Sequence, residues 1–331
     1  MDVVALTRTL VDIESVTERE GPVGRFLLQW LRDAGWDASP IAVTPERLNV
    51  FARPKNLLPS LIFCTHMDTV PPFIPSSEDA ENVYGRGACD AKGIMAAQIM
   101  AAGRLRDEGV GAGLLFTVGE ERDSIGAKTA NQHAPGSRFL IDGEPTQNRL
   151  AIATKGVLNM RLQAHGKMAH SAYPEQGESA IDKLVEALAR LRAMELPQAA
   201  DIGACTMNIG TIAGGRAPNV IADEAHADLL YRMVTASDEL KQQIRERIGG
   251  LVEIDFGADS PFLKLRTVDG VPTMVASFST DIPHLRNWGE PLLIGPGSIQ
   301  VAHTEREFVP KKALQEAVEL YCGIGKTLLQ G

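Results

Sequence analysis

Phe63-Cys64-Thr65-His66-Met67-Asp68 ends an apolar run with an imidazole and a carboxylate two residues apart. On a strand, side chains two apart share a face. A metal-binding histidine commonly gives its second N–H to a carboxylate, which fixes the tautomer and raises ligand basicity. His66 therefore reads as a ligand and Asp68 as the group that orients it. Four more segments place donors directly after apolar or glycine-rich runs: Gly87-Ala88-Cys89-Asp90-Ala91-Lys92-Gly93, Gly119-Glu120-Glu121, Gly143-Glu144-Pro145-Thr146 and Ala302-His303-Thr304. In an open α/β sheet, ligands gather beyond the carboxyl ends of the strands, so residues distant in sequence converge there. Two histidines and several carboxylates suit a borderline cation such as zinc. A metal that activates water needs a base to take the proton, and Glu120-Glu121 can divide that labour, one binding metal and the other facing water. Asp90, short and in a glycine-rich turn, either caps the following helix or bridges two cations about 3.5 Å apart.

The elements that must carry these residues follow from periodicity. Val3, Leu6, Leu10 and Ile13 recur at helical spacing over 3–13, and a second helix over 22–34 stops at Gly35. Residues 47–52 and 60–65 read as strands, 92–107 as an Ala/Met-rich helix, 112–118 as a strand, 124–132 as a short helix and 138–141 as a strand. This alternation predicts a mostly parallel, helix-flanked sheet of the α/β class. After Lys155-Gly156 the segments lengthen: strand 157–164, helix 178–194, strands 205–212 and 220–232, helix 237–248 and strand 251–256. That β-α-β-β-α-β order is ferredoxin-like. From about Leu263 the first texture resumes, with a strand over 291–295 and a closing helix over 311–329. Residues 1–155 and 263–331 are thus expected to form one domain and 156–262 an inserted one.

Composition narrows the function. A chain of 331 residues accommodates about two domains. Its net charge of -9, few aromatics and lack of a Lys/Arg run argue against a nucleic-acid partner. Uncharged segments fall short of the roughly 18 residues that span a bilayer. Asp2 and Arg8 interrupt any apolar signal core, so no membrane association and a cytoplasmic location are expected. Cys64, Cys89, Cys205 and Cys322 lack disulfide-scaffold or CxxC spacing and read as reduced, buried thiols. Gly85-x-Gly87 lacks the third glycine and the later acid of a dinucleotide fingerprint.

Taken together, His66-x-Asp68, Gly87-x-x-Asp90-x-Lys92-Gly93, Glu120-Glu121, Gly143-Glu144-Pro145-Thr146, Gly166-x-x-x-His170-Ser171 and Gly295-Pro296-Gly297 leading to Ala302-His303-Thr304 resemble one family in order and spacing. That family is the di-zinc amidohydrolases and metallopeptidases that include acetylornithine deacetylase, succinyl-diaminopimelate desuccinylase, aminoacylase and a glutamate-releasing carboxypeptidase. The resemblance spans nearly the whole chain. It implies a zinc aminopeptidase-like catalytic domain with an inserted lid and dimerisation domain at 156–262, and a homodimer joined through it. It also implies two divalent ions, zinc first with cobalt or manganese as alternatives. His66 and Glu144 would bind one ion, Glu121 and His303 the other, and Asp90 would bridge them. Glu120 would be the general base, with Asp68 supporting His66. His170 would stabilise the oxyanion in the active site of the partner subunit.

Asn219 and Arg232 resemble positions that hold a substrate carboxylate, for which the planar guanidinium fork is suited. Arg232 otherwise reads as a strand-end salt bridge, and Gly297 either offers a backbone N–H to the same carboxylate or closes a strand. His133, His165, His226 and His284 match no motif and read as structural or surface residues. Deacetylation of an N-acyl amino acid such as acetylornithine is the leading expectation. Desuccinylation of a diaminopimelate precursor, release of lysine or ornithine from a carrier protein, and dipeptidase or carboxypeptidase cleavage stand as alternatives.

Overall fold

The structure, a computed structural model, describes residues 2–330. Along the chain lie α1 (Val3–Val11), α2 (Gly21–Asp33), β1 (Asp37–Ala42), β2 (Leu48–Arg53), β3 (Leu61–His66), β4 (Ser77–Glu78), β5 (Asn82–Tyr84), α3 (Lys92–Asp107), β6 (Ala112–Thr117), α4 (Ile125–Ala130), β7 (Phe139–Asp142) and β8 (Leu150–Thr154). Then come β9 (Gly156–His165), α5 (Ala180–Arg192), β10 (Gln198–Ala199), β11 (Gly203–Ala204), β12 (Thr206–Gly214), β13 (Glu224–Met233), α6 (Ser237–Ile248), β14 (Glu253–Ser260) and β15 (Leu263–Lys264). The chain closes with β16 (Thr273–Ala276), β17 (Glu290–Leu293), β18 (Phe308–Pro310) and α7 (Lys311–Gln330). It divides into two compact units. One comprises the described residues up to Ile152, Leu265–Met274 and those from Thr280 onward; the other comprises Ala153–Lys264 and Val275–Ser279. The expected boundary put 275–279 with the first unit. A bond from the Lys155 N–H to the Ala276 carbonyl, 2.9 Å, ties that segment to the start of β9 instead.

The first unit is built on a six-stranded sheet in the order β1-β2-β6-β3-β7-β17. β6, β3, β7 and β17 run parallel, β2 lies antiparallel to β6, and β1 at the edge is antiparallel to β2. β3 lies inside the sheet and all six of its residues are buried, which is why Leu-Ile-Phe-Cys-Thr-His shows no alternation. Fully burying Leu61, Ile62 or Phe63 stabilises the fold by about 1.5–3 kcal/mol each. α3 is buried on nearly every side and packs against α1, α7, β3 and β6. Its alanines and Gly93 permit that close approach. α1 starts where the Asp2 carboxylate accepts from the Ala5 N–H at 2.8 Å. No helix among the described residues is long and apolar enough to cross a membrane.

The second unit has an antiparallel sheet in the order β12-β13-β9-β14. β9 alternates buried and open positions, and Leu158, Met160, Leu162 and Ala164 pack on Leu184 and Leu188 of α5 and Leu240 and Ile244 of α6. This is the ferredoxin-like arrangement. β13 begins at Glu224 rather than near Val220 because the preceding segment bridges to another loop, Val220 to His170.

Candidate metal centre

His66 is the last residue of β3, Glu121 follows the turn after β6, and Glu144 follows β7. Three adjacent parallel strands therefore deliver one ligand candidate each to the same sheet edge. Asp90 arrives from the turn before α3. It does not cap that helix, whose N-cap position is Ala91 with no side-chain bond. Its carboxylate instead faces both histidines, with His66 Nε2 at 3.0 Å from Oδ1 and His303 Nε2 at 3.4 Å from Oδ2. Ligand atoms of His66, Asp90 and Glu144 all lie within 4.8 Å of one another, as do those of Asp90, Glu121 and His303. Asp90 belongs to both groups. His303 Nε2 also sits 3.0 Å from Glu121 Oε2. Its backbone has φ of 64°, a left-handed conformation that costs a non-glycine residue about 1–3 kcal/mol and is concentrated at functional sites.

Asp68 acts on more than His66. His66 Nδ1 faces the Asp68 backbone carbonyl at 2.9 Å, while the Asp68 carboxylate lies 3.6 Å away. That carboxylate accepts from the backbone N–H groups of Gly119, Glu120 and Glu121 at 2.9, 3.1 and 3.2 Å and from the Thr17 hydroxyl at 2.9 Å. The side chain expected to orient one ligand by its carboxylate thus holds the turn that carries Glu120 and Glu121. Gly119 makes the turn with φ of +78°.

The electrostatics fit a pair of cations. Burial, reinforced by the charges of Asp90 and Glu120, pushes the Glu144 carboxyl well above the usual range. Burial does the same to Glu120, against the influence of His66. Burial disfavours a charged His66, yet its bonds to Asp68 and Asp90 outweigh that and raise it well above the ordinary histidine value. Hydrogen bonds to Asp90 and Glu121 push His303 up to about 10. Crowded carboxylates drawing protons onto two imidazoles form a site short of positive charge. Two imidazole nitrogens and three carboxylates are donors that zinc, cobalt or manganese accept.

Sequence reasoning missed two buried acids close to this site. Glu307, 1% exposed, accepts from three backbone N–H groups of the Asp90 turn. Asp281, in the first unit, accepts from the Thr117 hydroxyl at 2.9 Å, and burial raises it to about 6. Neither lies in a recognisable motif; the only signal for Glu307 was an acid four residues after His303.

The remaining expected residues lie in or beside other loops. Gly297 is buried, with φ of +83° and its open side filled by Cys89 Sγ. The loop around it pairs with the Glu144 turn through a bridge between Thr146 and Ser298. In the second unit, His170 is exposed. Its Nδ1 accepts from the Ala172 N–H at 3.1 Å, which leaves the proton, and the donor role, to Nε2. The Ser171 N–H bonds the Asn219 carbonyl at 3.0 Å, so the loops of His170 and Asn219 are one structure. Arg232 is elsewhere. It pairs with Val157 at one end of β9, whereas Glu224 pairs with His165 at the other, a run of roughly 26 Å at about 3.3 Å per residue. Within one chain the structure does not bring Asn219 to Arg232. Arg232 forms no salt bridge among the described residues, and its buried Nη1 has no hydrogen-bond partner. His165, His133, His226 and His284 take part in neither ligand group.

Known proteins resemble the chain along nearly all of its length. Residues 152–253 match the family model of a peptidase dimerisation domain, M20_dimer. A peptidase M20 domain-containing protein of Schizosaccharomyces pombe is 36% identical over 97% of this chain and 83% of its own. A probable carboxypeptidase of Aspergillus flavus is 36% identical over 98% of this chain and 86% of its own. Among solved structures, a tripeptidase from Staphylococcus aureus matches with a TM-score of 0.81 and 22% identity, covering 98% of both chains. A dinuclear metal-binding M20 peptidase from Bacillus subtilis matches with a TM-score of 0.72 and 15% identity, covering 99% of this chain and 98% of the other. With relatives 36% identical over nearly all of its length and its inserted dimerisation domain, the chain belongs to the M20 family of metallopeptidases.

Proposed function

We propose that the protein is a dimeric two-metal hydrolase that cleaves the amide bond of a small substrate with a free carboxylate, a short peptide in the carboxypeptidase or dipeptidase manner. The observation that carries this reading is Asp90 shared between two histidine and carboxylate groups, with Glu120 adjoining one of the ligand candidates. We assign His66 and Glu144 to one ion, Glu121 and His303 to the other, and Asp90 to both, with zinc the preferred metal. Bound there, two cations would supply Lewis acidity toward a carbonyl oxygen and make water a better acid.

The chain's own residues do the rest. Glu120 takes the proton of the attacking water on its carboxylate and returns it to the leaving amine. Asp68 holds the Glu120 turn still while this happens. His170 of the partner subunit donates from Nε2 to the developing oxyanion. Arg232 anchors the substrate carboxylate, which gives its unpartnered guanidinium a function. Asn219 of the partner subunit enters with His170, and the separation of that loop from Arg232 supports a site completed by two chains. Backbone N–H groups near Gly297 serve the same carboxylate.

The dimer surface we infer is β12 with α5. β12 is the sheet edge, open on both faces over much of its length. Ile212 on β12 and Ile181 and Val185 on α5 are large apolar side chains left exposed at 61%, 38% and 59%. An uncovered edge of that kind pairs with another strand. The four cysteines are buried and free, which favours a reducing compartment such as the cytoplasm.

Deacylation of an N-acyl amino acid, with acetylornithine as the first candidate, is the second reading, because such a substrate presents the same amide and carboxylate to Arg232. Assays with zinc-, cobalt- and manganese-loaded protein separate the two. The panel is dipeptides, tripeptides, N-acetylornithine, a succinylated diaminopimelate and a lysine-capped carrier peptide, each of the first three also as its carboxamide. Cleavage of free acids and loss of activity on the amides is expected; equal rates on amides would remove the carboxylate anchor. Mixing inactive Glu120→Gln and His170→Ala chains should restore activity, since each hybrid dimer then has one complete site. No recovery despite subunit exchange would end the proposal of a partner donor.

A further inference from the structure

The turn that carries Asp90 is held by one buried side chain far away in sequence. Glu307 Oε1 accepts from the backbone N–H groups of Gly87, Cys89 and Asp90 at 3.0, 3.1 and 3.0 Å. Its Oε2 accepts from Arg86 Nη1 at 2.7 Å. Both side chains are almost fully enclosed, Glu307 at 1% and Arg86 at 2% exposure. The backbone reinforces the arrangement: the Gly85 N–H bonds the Glu307 carbonyl at 3.1 Å, and the next residue, Phe308, pairs with Tyr84 in the β18 and β5 ladder. Glu307 also lies four residues after His303. A single carboxylate therefore joins the segment that supplies His303 to the turn that supplies Asp90.

Three N–H donors converging on one oxygen form an anion cradle occupied by protein, and charge-assisted bonds of this kind are about twice as strong as neutral ones. The bonds include the N–H of Asp90 itself, so they fix where its Cα, and hence its carboxylate, can lie. We propose that Glu307 is a positioning residue for the metal pair: it sets Asp90 between His66 and His303 and thereby sets how tightly two cations are held together. The role rests on the two-metal reading of the site. It does not require Glu307 to touch metal or substrate, and it makes this glutamate the counterpart of Asp68, which holds the Glu120 and Glu121 turn by the same kind of contact.

The test uses the full-length protein with Co2+ as probe, read by the visible spectrum of the bound ion and by calorimetric titration. Wild type should take up two ions per chain; fewer would defeat the two-metal reading rather than this one. In Glu307→Gln the amide oxygen still accepts, but the negative charge is gone and the amide N–H2 faces Arg86. Affinity for at least one Co2+ should fall about 10–100-fold, the usual cost of disturbing a group that orients a ligand, with an altered spectrum. Arg86→Lys keeps the charge pair and the cradle, so it should lower thermal stability while leaving the spectrum unchanged. Wild-type affinity and spectrum in Glu307→Gln, or identical spectral changes in both variants, would overturn the proposal. If Glu307→Gln does not fold, hydrogen exchange in the metal-free wild type decides. The Gly87, Cys89 and Asp90 amides should exchange as slowly as those of β3, and fast exchange there would overturn it.

Discussion

His66 and Glu144 leave neighbouring parallel strands and are 2% and 4% exposed, whereas Glu121 and His303 come from a turn and a loop, with the His303 side chain 49% exposed. Asp90 serves both pairs. The inner pair is positioned by sheet packing, because a strand flanked on both sides has nowhere else to go. The outer pair is not fixed by a strand end itself: Glu121 lies four residues beyond the end of β6 and His303 sits in a loop. Its turn depends on the Asp68 carboxylate, and its histidine on a left-handed backbone. The same chemistry is thus built once from rigid elements and once from loops held by buried acids, and the second construction should be the weaker and the more easily tuned.

The largest expected effect separates the outer turn's two glutamates. Glu120→Gln should lower turnover by about 10²–10⁴-fold, the range for a lost general base, while metal content stays at the wild-type level. Elemental analysis beside a peptide assay checks it; loss of metal in step with activity would make Glu120 a ligand and redraw the outer half. The comparison is then tested directly by His66→Ala against His303→Ala. Removing His66 leaves the buried Asp90 and Glu144 carboxylates facing each other, and both ions should be lost or weakened by more than the roughly 10–100-fold seen when only an orienting group is changed. Removing His303 should release the outer ion and leave the inner one in place, giving one ion per chain. Equal stoichiometry in the two variants would erase the distinction between the halves.

What could be read from the sequence follows the same division. His66, Asp90, Glu121, Glu144 and His303 stand beside apolar runs or glycine turns, so spacing placed their segments at one sheet edge, while the choice of Glu121 over Glu120 and of bridging over capping for Asp90 came from the family resemblance. α3 and α6 were legible to the residue, because a long helical run with clear ends leaves little choice of register. β1, β5 and β18 were not read as strands. β5 and β18 are three residues each and pair with each other across more than two hundred residues, and β1 is carried only at the sheet edge, paired with β2. Glu307 and the wider role of Asp68 were hidden for the same reason: a carboxylate that accepts distant backbone N–H groups has no local pattern. The expectation of Arg232 as a carboxylate anchor came from a resemblance and the shape of its guanidinium, whereas its distance from Asn219 required the register of β9 and β13.

Protons offer a handle on the outer half through His303. In the metal-free protein, hydrogen bonds to Asp90 and Glu121 raise His303 to about 10, against about 6.5 in an unfolded chain. A raised value means that this imidazolium adds stability in full below about 6.5, and that the contribution is lost as pH rises through about 10. A cation needs the neutral ring, so below pH 10 affinity at the outer half should climb about tenfold per pH unit from this group. Calorimetry with Mn2+ in buffers of different ionisation enthalpy counts the protons released. At pH 8 the His303→Ala variant should release about one fewer per chain than wild type; an unchanged count would show that His303 does not exchange its proton for metal.

The smallest effect sharpens the comparison where the two halves meet. Gly297 has φ of +83°, and a Cβ there would lie 2.5 Å from Sγ of Cys89, the residue before Asp90. Gly297→Ala should therefore destabilise the protein in two separable ways, by overpacking worth about 1–3 kcal/mol and by a left-handed alanine worth about 1–2 kcal/mol. Cys89→Ala removes the atom that is struck. In that background Gly297→Ala should cost only the backbone part, so the double variant is more stable than the sum of the singles, as urea unfolding of the metal-free chain would measure. Additive effects would mean that the Gly297 loop and the Asp90 turn do not press on each other. Asp90 would then be held by Glu307 and its backbone bonds without help from the loop beside Glu144.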